Sequence, residues 1–224
     1  MIKNIRKVSN IRYASIREMD ISNGEGVGVA LFVQGCPFHC YNCFNPDTWD
    51  FNGGKEWTPE VKEKFLELID KPYIKRVSIL GGEPLADENL DDVLDLVTEI
   101  NKRYNFQKVD SANPCKMGVS DDKNTYEFRL SFPNKTIWIY SGYIFSELFM
   151  YDEKIKRCPN YLRKDVMEIY QKRQQIISKC DVMVDGKYID SQRDTSLRWR
   201  GSKNQDVINI QQSLQKGEIV LWTE

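Results

Sequence analysis

The sequence predicts an α/β fold, a partial (β/α) barrel in which parallel strands carry their helices on the outside. Three observations predict it. Short apolar runs alternate with amphipathic stretches, the order expected of βαβ units. Several of the runs end at glycine, where a chain leaving a strand turns closely. No internal repeat, low-complexity tract or linker breaks the pattern, and 224 residues suit one domain, 1–224, with a sizeable core.

The elements follow in chain order. Residues 27–33 form a β-rich apolar run bounded by Gly24, Gly26 and Gly35, a buried strand. A helix starts at Thr58-Pro59, because threonine caps well and proline is tolerated at the first helical position. Val61, Phe65, Leu68 and Ile69 share its apolar face, and Pro72 stops it. Residues 76–80 are the next strand, ending at Gly81-Gly82, and 90–104 a second amphipathic helix through Val93, Leu94, Val97 and Ile100. Residues 105–135 are polar and interrupt the rhythm. They read as an insertion, with one alternating piece over 126–132 suited to a hairpin or edge strand. The pattern resumes with a strand over 136–140, helices over 143–150 and 165–177, and a strand over 181–184 that leads to Asp185-Gly186. Two further strands are expected at 207–210 and 219–222.

Composition narrows the function. Lysine and arginine number 32 against 33 acidic residues, so the chain carries no electrostatic footprint for nucleic acid or an anionic membrane. An apolar content of 41% argues for a folded globular protein. The charged start Met1 to Lys7 has no apolar stretch behind it, and no segment approaches a membrane span, so the expectation is a cytoplasmic protein. Six cysteines in such a compartment read as thiols or metal ligands rather than a disulfide frame.

Cys36, Cys40 and Cys43 carry the chemistry. Spaced C-x3-C-x2-C after the first apolar run, they let one loop wrap a metal centre. A cubane 4Fe–4S cluster takes four ligands, so three thiolates leave one iron open, the mark of a reactive site. Zinc with His39, the only histidine, as fourth ligand is an alternative, although His39 abuts Cys40. A disulfide pair with a spare thiol is another. Four loops begin at carboxyl ends of strands, where parallel α/β folds gather their reactive groups. They hold these cysteines, Gly81-Gly82-Glu83-Pro84, Ser141-Gly142, and Asp185 with Lys187.

The cluster loop followed by Gly81-Gly82-Glu83-Pro84 resembles the radical S-adenosylmethionine (SAM) enzymes. Further pieces resemble one family more closely, the activating proteins of the anaerobic, glycyl-radical ribonucleoside-triphosphate reductase. They are Asp20-Ile21-Ser22-Asn23-Gly24-Glu25-Gly26-Val27, Trp138-Ile139-Tyr140-Ser141-Gly142-Tyr143, Val184-Asp185-Gly186-Lys187-Tyr188 and Trp199-Arg200-Gly201-Ser202-Lys203-Asn204-Gln205. The last is the most specific. Other small radical SAM enzymes, such as activases of different glycyl-radical enzymes or modified-purine synthases, share only the first two motifs. A non-catalytic zinc-binding interaction module is the rival from another class.

The resemblance implies a barrel of radical SAM type, a 4Fe–4S cluster on Cys36, Cys40 and Cys43, and SAM on the fourth iron. It implies that Gly81, Gly82, Glu83 and Pro84 meet the methionyl ammonium, that Ser141 and Asp185 meet the ribose or methionyl part, and that Phe44 lies near adenine with Asn45 supporting the cluster. It implies reductive cleavage of SAM and hydrogen abstraction from a glycine of the reductase's large subunit. It also implies a flavodoxin- or ferredoxin-like electron donor. Arg198-Trp199-Arg200 reads as an exposed patch for partner docking or site closure. Cys180 reads as a small buried hydrophobe, while Cys115 and Cys158 have no spacing that suggests a second cluster.

Overall fold

The computed structural model describes residues 11–104, 134–149 and 163–223. One mixed sheet of seven strands organises them: β1 (Arg12–Asp20), β2 (Gly28–Val33), β3 (Lys55–Glu56), β4 (Arg76–Gly81), β5 (Thr136–Tyr140), β6 (Val182–Val184) and β7 (Val207–Asn209). The order is β3-β1-β2-β4-β5-β6-β7. Its centre, β2-β4-β5-β6, is parallel as the alternation of elements predicts. The flanks correct the all-parallel expectation, because β1, β3 and β7 pair antiparallel.

Successive strand residues point to opposite faces, and this alternation sorts the core. Val29, Leu31 and Val33 of β2, Val77 and Ile79 of β4, Ile137 and Ile139 of β5 and Met183 of β6 face one side. There they meet Phe65, Leu66 and Ile69 of α1 (Pro59–Asp70) and Val93, Leu96, Val97 and Ile100 of α2 (Leu90–Tyr104). Phe145 and Leu148 of α3 (Phe145–Phe149) and Ile176 and Ile177 of α4 (Arg163–Ser178) complete that layer. Each fully buried aliphatic or aromatic side chain contributes about 1.5–3 kcal/mol. The opposite face carries Phe32, Leu80, Trp138, Val182 and Val184, and no helix of this layer covers it.

α1 begins as expected, its Thr58 hydroxyl accepting a 3.3 Å hydrogen bond from the Val61 amide with Pro59 in the first turn. At the C-terminus the expectation fails. Residues 219–222 form no strand: Leu221 makes a single bridge to Ile208, and α5 (Ile210–Lys216) intervenes. The stretch after β7 turns helical because Asn209 caps it, accepting from the Gln212 amide, and Gly217 closes it in the left-handed conformation. The alternating piece at 126–132, Cys115 and Cys158 lie outside the described residues, as does most of the 105–135 insertion.

A buried charge fixes the chain between β1 and β2. Arg76 on β4 points to the helix-free face, pairs with the Asp20 carboxylate at 2.8 Å and donates to the carbonyls of Asp20 and Glu25. Asn23 and Ser78 supply further acceptors. A buried ion pair is tolerable only when its hydrogen bonding is completed in this way. Burial pushes the Asp20 carboxyl up, but the Asn23 amide and Arg76 outweigh it and hold it below its ordinary value.

Candidate functional site

The loop after β2 folds on its own backbone. The Gly35 amide donates to the Thr48 carbonyl at 2.8 Å, the Cys36 amide to Trp49 at 3.0 Å and the Cys43 amide to Cys40 at 3.1 Å. His39 and Asn42, each directly before a cysteine, take positive φ of 47° and 55°. The result brings Cys36, Cys40 and Cys43 to the wall of one cavity of about 510 Å³. Phe44 and Asn45 line it too, and the Asn45 amide donates to the Cys43 sulfur at 3.4 Å. Burial pushes the Cys36 thiol up to about 11, against the amides of Phe38 and His39. Burial and Cys43 raise the Cys40 thiol, while the Tyr188 amide and the Lys187 ammonium pull it down. A metal binding here displaces protons, and those amides favour the thiolates it needs.

The cavity opens on the helix-free face at the carboxyl ends of the parallel strands, over Phe32, Leu80, Tyr140 and Val184. Gly81 and Gly82 line it, and both positions require glycine. Gly81 has φ of 105°, and a Cβ there meets Phe32 Cα at 2.8 Å; at Gly82 it meets the Gly35 carbonyl at 2.4 Å. Glu83 reaches the wall, yet the residue is only 1% exposed. It accepts from the Leu85 amide and the Ser141 hydroxyl, both at 2.8 Å, and from the Gly142 amide at 2.7 Å. Burial pushes this carboxyl up to about 7, against those donors and the charge of Arg173. Glu83 therefore ties the β4 loop to the β5 loop, a task the motif alone did not reveal.

Ser141 lies on the wall, but Pro84 and Asp185 do not. Pro84 is buried behind the turn. Asp185 is 5% exposed and turns into the protein, accepting from the Phe145 amide at 2.8 Å and the Asp206 amide at 3.2 Å. It thus anchors the start of α3 and the approach to β7.

The C-terminal block folds back onto the loop after β6. Gln205 donates to the Gly186 carbonyl at 2.9 Å and accepts from the Gly201 amide at 3.0 Å, while Asn204 donates to the Lys187 carbonyl at 2.9 Å. Trp199, Arg200, Gly201 and Gln205 thereby join the cavity wall. Trp199 corrects an expectation: it is half-buried, edge-on to Trp138 with ring centroids 5.0 Å apart, and not an exposed docking residue. Of the two roles the sequence allowed, this geometry favours closing the site.

A profile of the 4Fe-4S single cluster domain family matches residues 22–113 and 124–208, most of the chain. The chain belongs to the 4Fe–4S single cluster domain family. It is also similar to proteins named anaerobic ribonucleoside-triphosphate reductase-activating protein. That of Escherichia coli (strain K12) is 29% identical over 202 residues, 89% of this chain and 99% of the relative. That of Salmonella typhi shows the same identity and coverage, and that of Enterobacteria phage T4 is 27% identical over 87% of this chain and 92% of its own.

The residues present fit the cluster of a 4Fe–4S single cluster domain. Three thiols share one cavity wall, and thiolates are the donors such a cluster takes. His39, the fourth ligand in the zinc reading, is exposed, off the cavity wall and stacked on Trp49 at 4.7 Å. Sequence reasoning missed several wall residues of this 4Fe–4S domain, notably Arg17, Asn23 and Phe38. Asn23 lay within a quoted motif and Phe38 within the cluster loop, whereas nothing local marks Arg17.

Proposed function

We propose that this chain is a radical SAM activase that installs a glycyl radical on an anaerobic ribonucleoside-triphosphate reductase. The observation that carries this reading is the convergence of Cys36, Cys40, Cys43, Gly81, Gly82, Glu83 and Ser141 on one cavity at the carboxyl ends of parallel strands. The parallel centre of the sheet is, on this reading, the partial (β/α) barrel of radical SAM type. When bound, the cluster supplies the electron that cleaves SAM to methionine and a 5′-deoxyadenosyl radical, which takes a hydrogen atom from a glycine of the reductase.

The chain's own part is to hold and orient. Cys36, Cys40 and Cys43 hold three irons and leave the fourth for SAM. The turn at Gly81, Gly82 and Glu83 offers backbone oxygens to the methionyl ammonium, while the buried Glu83 carboxyl holds that turn in place by accepting from Leu85, Ser141 and Gly142. Ser141 serves the sugar or methionyl part, Phe44 offers an exposed ring to adenine, and Asn45 supports the thiolate of Cys43. Pro84 and Asp185 act from behind the wall. A flavodoxin- or ferredoxin-like protein is the proposed electron donor, and the cytoplasm the proposed location. No described helix is long and apolar enough to cross a membrane.

The deciding experiment reconstitutes the chain anaerobically with iron and sulfide, reduces it, and adds SAM with a candidate reductase. A glycyl radical detected by electron paramagnetic resonance, dependent on SAM and on both proteins, is the expected result. A colourless protein with stoichiometric zinc removes the reading. An iron–sulfur protein that cleaves SAM but leaves the reductase glycine untouched points to another radical SAM activity.

A further inference from the structure

We infer that Arg173 of α4 is a positioning residue for the cluster loop, acting through Tyr143 and Phe38. The inference rests on the assignment of Cys36, Cys40 and Cys43 as cluster ligands. Phe38 sits between the first two cysteines, on the cavity wall. Its ring is held from three sides. Gly142 lies so close that a Cβ there meets the Phe38 ring at 2.4 Å. Tyr143 packs edge-on at a centroid distance of 5.0 Å, and the Lys187 ammonium stands 4.4 Å from the ring centre. The loop carrying the cysteines is thus plugged into the loops after β5 and β6.

Arg173 stands behind that socket. It is 6% exposed, and its guanidinium lies 4.3 Å from the centre of the Tyr143 ring while donating to the Tyr143 hydroxyl at 2.8 Å. The same fork donates to the Leu85 carbonyl at 2.9 Å and pairs with Asp87, both just beyond the turn that holds Gly81, Gly82 and Glu83. One buried cation therefore fixes the β4 loop and, through Tyr143, the socket for Phe38. A planar fork suits this double task and an ammonium does not. Arg173 does not line the cavity, so apart from its charge on Glu83 its effect on the cluster loop is transmitted through packing.

The test uses the full chain as wild type, Arg173→Met, Arg173→Lys and Tyr143→Phe. The metal-free proteins are alkylated with iodoacetamide at one pH, well below their melting temperatures, and labelling of each cysteine is followed by peptide mass. The reconstituted proteins are then exposed to an iron chelator. Loss of the Arg173 fork frees the loop, so labelling of Cys36 and Cys40 accelerates about five-fold or more in Arg173→Met, and iron loss accelerates with it. Arg173→Lys behaves like Arg173→Met because the charge alone does not restore the fork. Tyr143→Phe, which keeps the ring and should fold even if the arginine variants do not, gives a smaller acceleration in the same direction. Labelling and iron-loss rates within about two-fold of wild type in the folded variants overturn the inference, even if melting temperatures fall, because that pattern is a structural role alone. A wild type that takes up zinc and no iron would sink the cluster assignment instead, while the labelling rates still decide whether Arg173 holds the loop.

Discussion

At the scale of single residues, the four described cysteines divide by surroundings. Cys36, Cys40 and Cys43 line the cavity, whereas Cys180 is fully buried beside α4 with its thiol directed to the Ile176 carbonyl at 3.3 Å. On the proposed function, alanine at any of the first three removes one of only three protein ligands, so each variant should fail to retain a cluster. Cys180→Ala should keep a full complement of iron and lose about 1 kcal/mol of stability for a small cavity. Iron and sulfide analysis after reconstitution checks both. Glu83 makes a second residue-scale prediction. Its folded carboxyl is raised to about 7 from an ordinary 4.5. Between those values the folded chain keeps a proton that the unfolded chain has released. The stability contributed by this group is therefore greatest at and below the unfolded value, falls as pH rises through the window and is level above it. The slope approaches about 1.4 kcal/mol per pH unit. Denaturant melts at pH 5, 6 and 7 should show wild type losing stability relative to Glu83→Gln, whatever the variant's absolute stability; parallel pH profiles would refute the assignment.

At the scale of elements, the glycine-lined socket ties one loop to another. Gly142→Ala drives a methyl into the Phe38 ring, and with the Gly142 amide held by Glu83 the strain falls on Phe38 and the cluster loop. Overpacking of this kind costs about 1–3 kcal/mol, and iron uptake should slow as well. Gly217→Ala is the contrast: its φ is 71° but nothing lies within 4 Å of the added Cβ, so it should cost about 1 kcal/mol and leave iron uptake unchanged. Comparing melting temperatures with uptake rates separates the two. The elements also show what a sequence can carry. α1, α2 and the parallel strands were legible because their apolar residues repeat at helical spacing or form short unbroken runs between glycines. β1 was not, because charged Arg12, Arg17 and Glu18 break its pattern and its apolar residues Tyr13, Ala14 and Ile16 are only half-buried. α5 was missed although Asn209 and Gly217 cap it, because seven residues hold too few turns to show a period. That Cys36, Cys40, Cys43, Gly81, Gly82 and Ser141 share one wall could be read because each lies in a loop directly after a short apolar run. Asp185 shows the limit of such reading, because a carboxylate at a strand end serves a ligand or a backbone amide equally well, and here it accepts from the amides of Phe145 and Asp206. Arg173 was silent because its partners are remote in sequence.

At the scale of the whole molecule, the sheet has one face filled by helices and another on which the cavity opens. The residues that close that second face come from the end of the described chain. Trp138, fully buried on β5, meets Trp199 at 5.0 Å and Trp222 at 5.7 Å, both edge-on. Arg200 pairs with Asp206 at 3.5 Å and donates to the Gln205 carbonyl, so its side chain is committed to holding the block as well as lining the cavity. A surface that only docked a partner would carry its tryptophan outward and its arginine free. These two are part of the chamber wall. Trp199→Ala combined with Arg200→Ala should therefore open the chamber to water and impair every reaction within it. With the cluster still present, 5′-deoxyadenosine release and glycyl radical yield should fall together, by about ten-fold or more if the loss of wall contacts amounts to ~1.4 kcal/mol. Parallel assays of the two products on the reconstituted double variant decide the matter. If deoxyadenosine release stayed at the wild-type level and only the radical on the reductase disappeared, the block would be a docking surface and the wall assignment would be wrong.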